Sequence, residues 1–272
     1  MTDPVLIDRK GAVAYLTLNR PEAGNAVDVA LSRCLLDAIV AVEADPAVRC
    51  VVVRGNGRMF CAGGDVKGLH AAGDALPEFL NEILVSLHPA IVRLARMNKP
   101  VVTAIHGPAA GAGVGLAAVG DVALAEPDAH FTMAYSRIGL TPDGGATWLL
   151  PRLIGLRRAQ ELALTNRRVS AEEAAAIGLI TRVVAKGTLA QEVDALAASL
   201  ARSAVGALGT TKRLLLASDE ATLEEQLDAE SACITEQGGT DESRTGIAAF
   251  VERRDPDFSA AARNAEKSAA HR

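Results

Sequence analysis

Aromatic side chains are scarce in this chain: Phe, Tyr and Trp together make up 3% of 272 residues. The core therefore cannot be assembled around large rings. Ala, Val, Leu and Gly must fill it, and with 49% hydrophobic residues there is ample material for one large domain. Cysteine pairing is also missing. Cys34, Cys50, Cys61 and Cys233 form no Cys-x-x-Cys pair and are irregularly spaced, so they point to a reduced compartment rather than a secreted disulfide framework. The net charge is -5 with both signs spread along the chain, and neither a basic block nor an acidic tail stands out. Nucleic acid is thus not an expected partner. The start, Met1-Thr2-Asp3-Pro4, carries an early acid and no apolar run, so no signal peptide is read and a cytoplasmic location is expected.

One stretch, residues 100 to 120, contains no Lys, Arg, Asp or Glu and approaches the length of a bilayer span. It divides at His106-Gly107-Pro108 and carries four further glycines, so we expect a strand and a turn there, and no membrane partner. His70, His106, His130 and His271 show no ligand spacing with one another or with the cysteines, and no metal site is expected.

What is present is an alternation of short apolar strands with helices over the first 130 residues. Val13 to Leu18 reads as a strand, Asp28 to about Glu43 as an amphipathic helix closed by Asp45-Pro46, and Cys50 to Val53 as a buried strand. A loop and short helix follow from Phe60 to about Leu69, then a helix from Pro77 to Arg96 and a strand at Val101. Glycines 111, 113 and 115 open an apolar helix, and Val122 to Ala125 is again a strand. This order predicts an α/β fold with largely parallel pairing. From Leu156 onward the pattern is almost all helical, with helices near 188–203, 205–217, 222–237 and 241–253. Ser170-x-x-Glu173 and Thr222-x-x-Glu225 read as capping boxes, and Gly178 as a helix end. We expect a core over 1–200, a helical part over 201–258 and a fraying tail over 259–272.

Two glycine-rich turns stand out. Phe60-Cys61-Ala62-Gly63-Gly64-Asp65 follows a buried strand, and His106-Gly107-Pro108-Ala109-Ala110-Gly111-Ala112-Gly113 joins a strand to a helix. Backbone N–H groups from both, the second at a helix N-terminus, could converge on one oxygen as an oxyanion hole. The same glycines could equally serve only to make tight turns. A six-residue dinucleotide fingerprint is excluded, because it would need Gly where Leu116 stands. Neither a Gly-Lys-Ser/Thr phosphate loop nor a Gly-x-Ser-x-Gly elbow occurs.

These turns resemble those of the enoyl-CoA hydratase/isomerase (crotonase) family. The resemblance extends to Asn19-Arg20-Pro21-Glu22-Ala23-x-Asn25-Ala26, to Ile138-Gly139-Leu140-Thr141-Pro142-Asp143-Gly144-Gly145, to Leu150-Pro151-Arg152-x-Ile154-Gly155, to Ala171-x-x-Ala174-x-x-x-Gly178-Leu179-Ile180 and to the closing Gly246 to Arg254. It runs in order from about residue 5 to 258. It implies a superhelix of ββα units with a helical C-terminal subdomain that packs between subunits as a homotrimer or hexamer. The implied substrate is an acyl-CoA, with no cofactor beyond the coenzyme A that the substrate carries. By the same resemblance the thioester oxygen lies between the N–H groups of Gly64 and Ala112. Ala23, Ala62, Gly63 and Asp65 are implied coenzyme A contacts, with Lys67 a further candidate near its phosphates.

The acid–base residues decide the reaction. Hydratases of the family use two carboxylates, and the matching positions here hold Gly115 and, nearby, Tyr135. Asp143 matches the position of the single carboxylate in some of the family's isomerases, including the phenylacetate-pathway ring-opening isomerases. One carboxylate suffices to take a proton from one carbon and return it two carbons away. Without the resemblance, Asp143 before a glycine-led helix reads as an N-cap. His88, Tyr135 and Trp148 are possible pocket residues, His88 by analogy with the family's aromatic dehalogenases. The expectation is an acyl-CoA isomerase with Asp143 as base. The alternatives are a hydratase with non-standard acids, a dehalogenase- or hydrolase-like member of the family, and a non-catalytic acyl-CoA binder.

Overall fold

The computed structural model of the chain describes residues 3–258. Its centre is a six-stranded sheet in the order β1 (Val5–Lys10), β2 (Val13–Leu18), β3 (Cys50–Gly55), β4 (Val101–Ile105), β6 (Val122–Ala125) and β9 (Arg182–Val183). Only β1 runs antiparallel to its neighbour. A second sheet joins β5 (Ala109–Ala110), β7 (His130–Thr132) and β8 (Val169–Ser170). The chain alternates between the two sheets: β4 is followed by β5, and β6 by β7. Strands β4 and β6 thus deliver the chain into a short outer strand before the next helix.

The central strands are continuous apolar runs because both faces of the sheet are covered. Ala14, Leu16 and Leu18 of β2 point into the main core with Val51, Val53 and Val101. The alternate residues Val13, Tyr15, Cys50, Val52 and Val102 pack on the other side. The main core is closed by helices α1 (Val29–Ala44) and α3 (Leu76–Arg96), and the other side by α8 (Leu189–Arg202). Between them run α2 (Val66–Ala72), α4 (Ala112–Ala118), α5 (Ala146–Ile154), α6 (Leu156–Thr165) and α7 (Ala171–Ile177). Helices α9 (Val205–Ala217), α10 (Leu223–Gly238) and α11 (Asp241–Val251) finish the described chain.

Local signals explain most helix ends. The Asp28 carboxylate accepts from the Leu31 N–H at the start of α1, and Gly178, at φ +86°, ends α7. Thr222 and Glu225 form a reciprocal capping box on α10. Ser170 accepts from the Glu173 N–H, but this is half a box. The Glu173 carboxylate is drawn instead into a two-pronged pair with the Arg167 guanidinium, at 2.7 and 3.0 Å. Strands β1, β5, β7, β8 and β9 are additions to the sequence reading, since β1 is mostly exposed and the others, two or three residues long, are too short to show a period. The uncharged stretch from 100 to 120 contains β4, β5 and α4, and no helix among the described residues is long and apolar enough to cross a membrane. The expected fraying tail, 259–272, lies outside the described residues.

Candidate active site

The two glycine-rich turns lie side by side. Ala110 N–H donates to the Cys61 carbonyl at 2.9 Å, and Phe60 N–H to the Pro108 carbonyl at 3.1 Å. The contact is close enough that a Cβ on Gly63, whose φ is +91°, would lie 2.7 Å from the Ala110 carbonyl oxygen. Only glycine fits there.

Asn25 holds the first turn in place. It is fully buried, and its side-chain NH2 faces the carbonyls of Asn56, Met59 and Phe60 at 2.9, 2.9 and 3.1 Å. Its Oδ1 accepts from the Arg20 N–H at 2.9 Å. The Arg20 guanidinium pairs with Asp28 at 3.0 Å and Asp65 at 3.2 Å, joining the end of the turn to the start of α1. Sequence reasoning took this Asn-Arg-Pro segment as a ligand contact and missed its bracing role.

The second turn reaches α4 through Gly111, at φ +51°, so that Ala112 is already the first helical residue. The positive φ falls on the glycine before Ala112, which is why a Cβ is tolerated at 112. The N–H groups of Gly64 and Ala112 donate to no backbone or side-chain group among the described residues. Both residues line one apolar cleft of about 120 Å³.

The cleft wall is made by Val66 and Leu69 of α2 and by Leu80, Ile83, Leu84 and Leu87 of α3. Tyr135 and Asp143 line it as well, and Asp143 is its only charged residue among those described. Tyr135 sits on a 3-10 turn, Tyr135–Ile138, entered through Ala134 at φ +63°. Its hydroxyl donates to Asp143 Oδ1 at 2.6 Å. Burial, with the charge and hydrogen bond of Asp143, pushes the Tyr135 phenol well above its ordinary range, so it keeps its proton. The Asp143 side chain does not cap a helix: Gly145 is the N-cap of α5, with no side-chain cap bond. The N-cap alternative for Asp143 therefore falls away.

Other candidates lie elsewhere. His88 is exposed on α3 and outside the cleft lining, where its neighbour Leu87 takes the inward position. Trp148 also stays outside, because α5 turns Ala146, Leu149 and Leu150 inward and leaves the indole under the Arg152 guanidinium at 4.0 Å. Ala62 lines the cleft, whereas Ala23, Gly63 and Asp65 do not. Asp65 is committed to the fold as the N-cap of α2 and partner of Arg20. No helix from Leu156 onward contributes a lining residue among those described. Cys61 is no nucleophile: burial pushes its thiol up to about 12. All four cysteines are free, and no group of three or more His, Cys, Asp or Glu among the described residues is placed to hold a metal ion.

A mostly parallel sheet beside a smaller mixed one, with paired turns opening on an apolar cleft, defines a class. The enoyl-CoA hydratase/isomerase family model matches residues 8–261, and the chain belongs to that family. The chain is 39% identical over 260 residues to the 1,2-epoxyphenylacetyl-CoA isomerase of Escherichia coli K12, covering 95% of this chain and 99% of that one. It is 37% identical to a probable enoyl-CoA hydratase of Rhodobacter capsulatus, covering 90% and 94%. The crystal structure of an enoyl-CoA hydratase from Polaromonas sp. JS666 superposes with a TM-score of 0.88 at 34% identity, covering 93% of this chain and 98% of that one. The fold is thus the crotonase fold.

Proposed function

We propose that this chain is an acyl-CoA isomerase that moves a double bond through an enolate, with Asp143 as its single base. The observation that carries this is at Gly115, where the resemblance places one hydratase carboxylate. A Cβ on Gly115 would lie 2.2 Å from the Gly144 carbonyl oxygen, so backbone already fills the space for a side chain there. The second hydratase position is near Tyr135, which carries no acid. Asp143 remains as the one carboxylate in the cleft.

In this reading the thioester oxygen accepts from the Gly64 and Ala112 amides. The Asp143 carboxylate takes a proton from C2 of a 3-enoyl thioester, and the electron pair moves onto the thioester oxygen as a dienolate. The two amides stabilise that charge in a cleft with apolar walls. Asp143, now protonated, returns the proton at C4, and the 2-enoyl product forms with the base regenerated. The substrate would be a β,γ-unsaturated or ring-containing acyl-CoA with an uncharged acyl group, and no dissociable cofactor enters the scheme. Exposed apolar residues on α10 and α11 support assembly as a trimer or hexamer, and a cytoplasmic location remains part of the proposal.

Hydration is the second reading, favoured by the names of the Rhodobacter and Polaromonas relatives. The protein incubated in heavy water with 3-enoyl-CoA or crotonyl-CoA separates the two by mass spectrometry. Isomerisation without 3-hydroxyacyl-CoA is expected. Asp143→Asn should lower kcat by about 10²–10⁴ with the fold intact, the usual weight of a general base. Rapid hydration of crotonyl-CoA, or a variant within a few-fold of wild type, would sink the single-base scheme.

A further inference from the structure

The two oxygens of Asp143 are not equivalent. Oδ1 accepts from Tyr135 at 2.6 Å, while Oδ2 has no partner among the described residues. The donor is held firmly. Tyr135 is 9% exposed, and its turn is tied by Tyr135 N–H to the Met133 carbonyl at 2.8 Å and by Leu140 N–H to the Tyr135 carbonyl at 3.1 Å. Beyond the turn, Ser136 and Arg137 both bond Asn166, at the C-cap of α6. The entry through Ala134 in the left-handed region is a conformation that a non-glycine residue adopts only when its surroundings impose it. The chain accepts this backbone strain where it aims the phenol at Asp143.

We propose that Tyr135 is a positioning residue: it fixes one oxygen of Asp143 so that the other alone faces the acyl chain and carries the proton between the two carbons. This rests on Asp143 being the base. The phenol keeps its proton, so it acts only as a donor and takes no part in the transfer itself. One oriented oxygen within reach of both carbons makes return of the same proton faster than exchange with water, in a cleft whose wall is Leu80, Ile83, Leu84 and Leu87.

The test is Tyr135→Phe, which keeps the ring and removes the hydroxyl. A freed carboxylate rotates, so kcat should fall about 10- to 100-fold while KM stays within about two-fold, the scale of a reacting group displaced by an ångström. In heavy water the share of solvent deuterium in the product should rise. In an Asp143→Asn background the same change should have no further effect on residual turnover, because Tyr135 acts through the carboxylate alone. Wild-type kcat and deuterium content in Tyr135→Phe would overturn the proposal, as would an equal loss in both backgrounds. If Tyr135→Phe does not fold, Tyr135→His decides by the same comparison: a loss of kcat seen only where Asp143 is present supports the assignment, and wild-type kcat or an equal loss in the Asp143→Asn background overturns it. Full activity of Asp143→Asn is a different result, one that removes the base itself.

Discussion

Strands β2 to β4 and helices α9 to α11 are held in contrasting ways. The strands are buried on both faces, and the turns that leave them are fixed by backbone contacts with no room for a side chain. Helix α10 buries no residue, and α9 and α11 bury only Gly209 and Ala249. Ile234 is 74% and Phe250 85% exposed. These helices reach the core through a few polar tethers instead. Lys212 Nζ donates to the Leu94 carbonyl and to Asp121 Oδ2, both at 2.9 Å, and Arg49 pairs with Glu242 of α11 at 3.8 Å. The lesson is that geometry precise enough for chemistry comes from close backbone packing, whereas the helical end is attached by replaceable pairs.

The tether at Lys212 should break that arrangement most. Its ammonium is largely buried, while the Asp121 side chain keeps 29% of its surface; desolvation pushes the Asp121 carboxyl up against the pull of Lys212. Lys212→Met leaves the partly desolvated Asp121 without its partner, and losing a hydrogen bond to a charged group costs about 1.5–3 kcal/mol. Chemical denaturation should show this loss, with amide exchange fastest in α9. The pH dependence has a definite sign. A carboxyl whose folded pKa is raised binds its proton more tightly in the folded state, so the variant's deficit should be largest near neutrality. It should shrink as pH falls through the raised folded value towards the ordinary carboxylate range. A deficit independent of pH would show that Asp121 is not the group left stranded.

A matched pair of glycines sharpens the contrast. Gly115→Ala in α4 drives a Cβ into the Gly144 carbonyl at 2.2 Å. Overpacking of this kind costs about 1–3 kcal/mol. Activity should fall further than stability, since the displaced backbone adjoins Asp143. Gly238→Ala in α10 meets nothing within 4 Å. It should be neutral or stabilising by up to about 1 kcal/mol, from helix propensity alone. Thermal melts of the two variants moving in the same direction would erase the distinction between the regions.

Much of this was legible in the sequence because it is local. Continuous apolar runs gave β2 and β3, Asp28 and Thr222 marked helix starts, and the two turns stood out by glycine content. What escaped depends on residues far apart in the chain. Asn25 braces carbonyls 31 to 35 residues away, and Gly115 meets Gly144 across a loop. The Asp143 side chain would look like a helix cap from its neighbours alone, and only the fold turns it to Tyr135. His88 and Trp148 lie outside the cleft lining for a related reason: which face a helix turns inward is set by what it packs against.

The smallest expected effect lies at the capping box of α10. Thr222 Oγ1 accepts from the Glu225 N–H at 3.2 Å, and the Glu225 carboxylate accepts from the Thr222 N–H at 2.9 Å. Those bonds hold its carboxyl below the usual range. Because α10 buries no side chain within the chain, its ends carry more of its local stability than they would in a core helix. Thr222→Ala should therefore cost about 1 kcal/mol. The loss should appear as faster amide exchange at the start of α10, with kcat and KM unchanged. A change in turnover would mean that this helix reaches the active site, and the separation of the two regions would have to be abandoned.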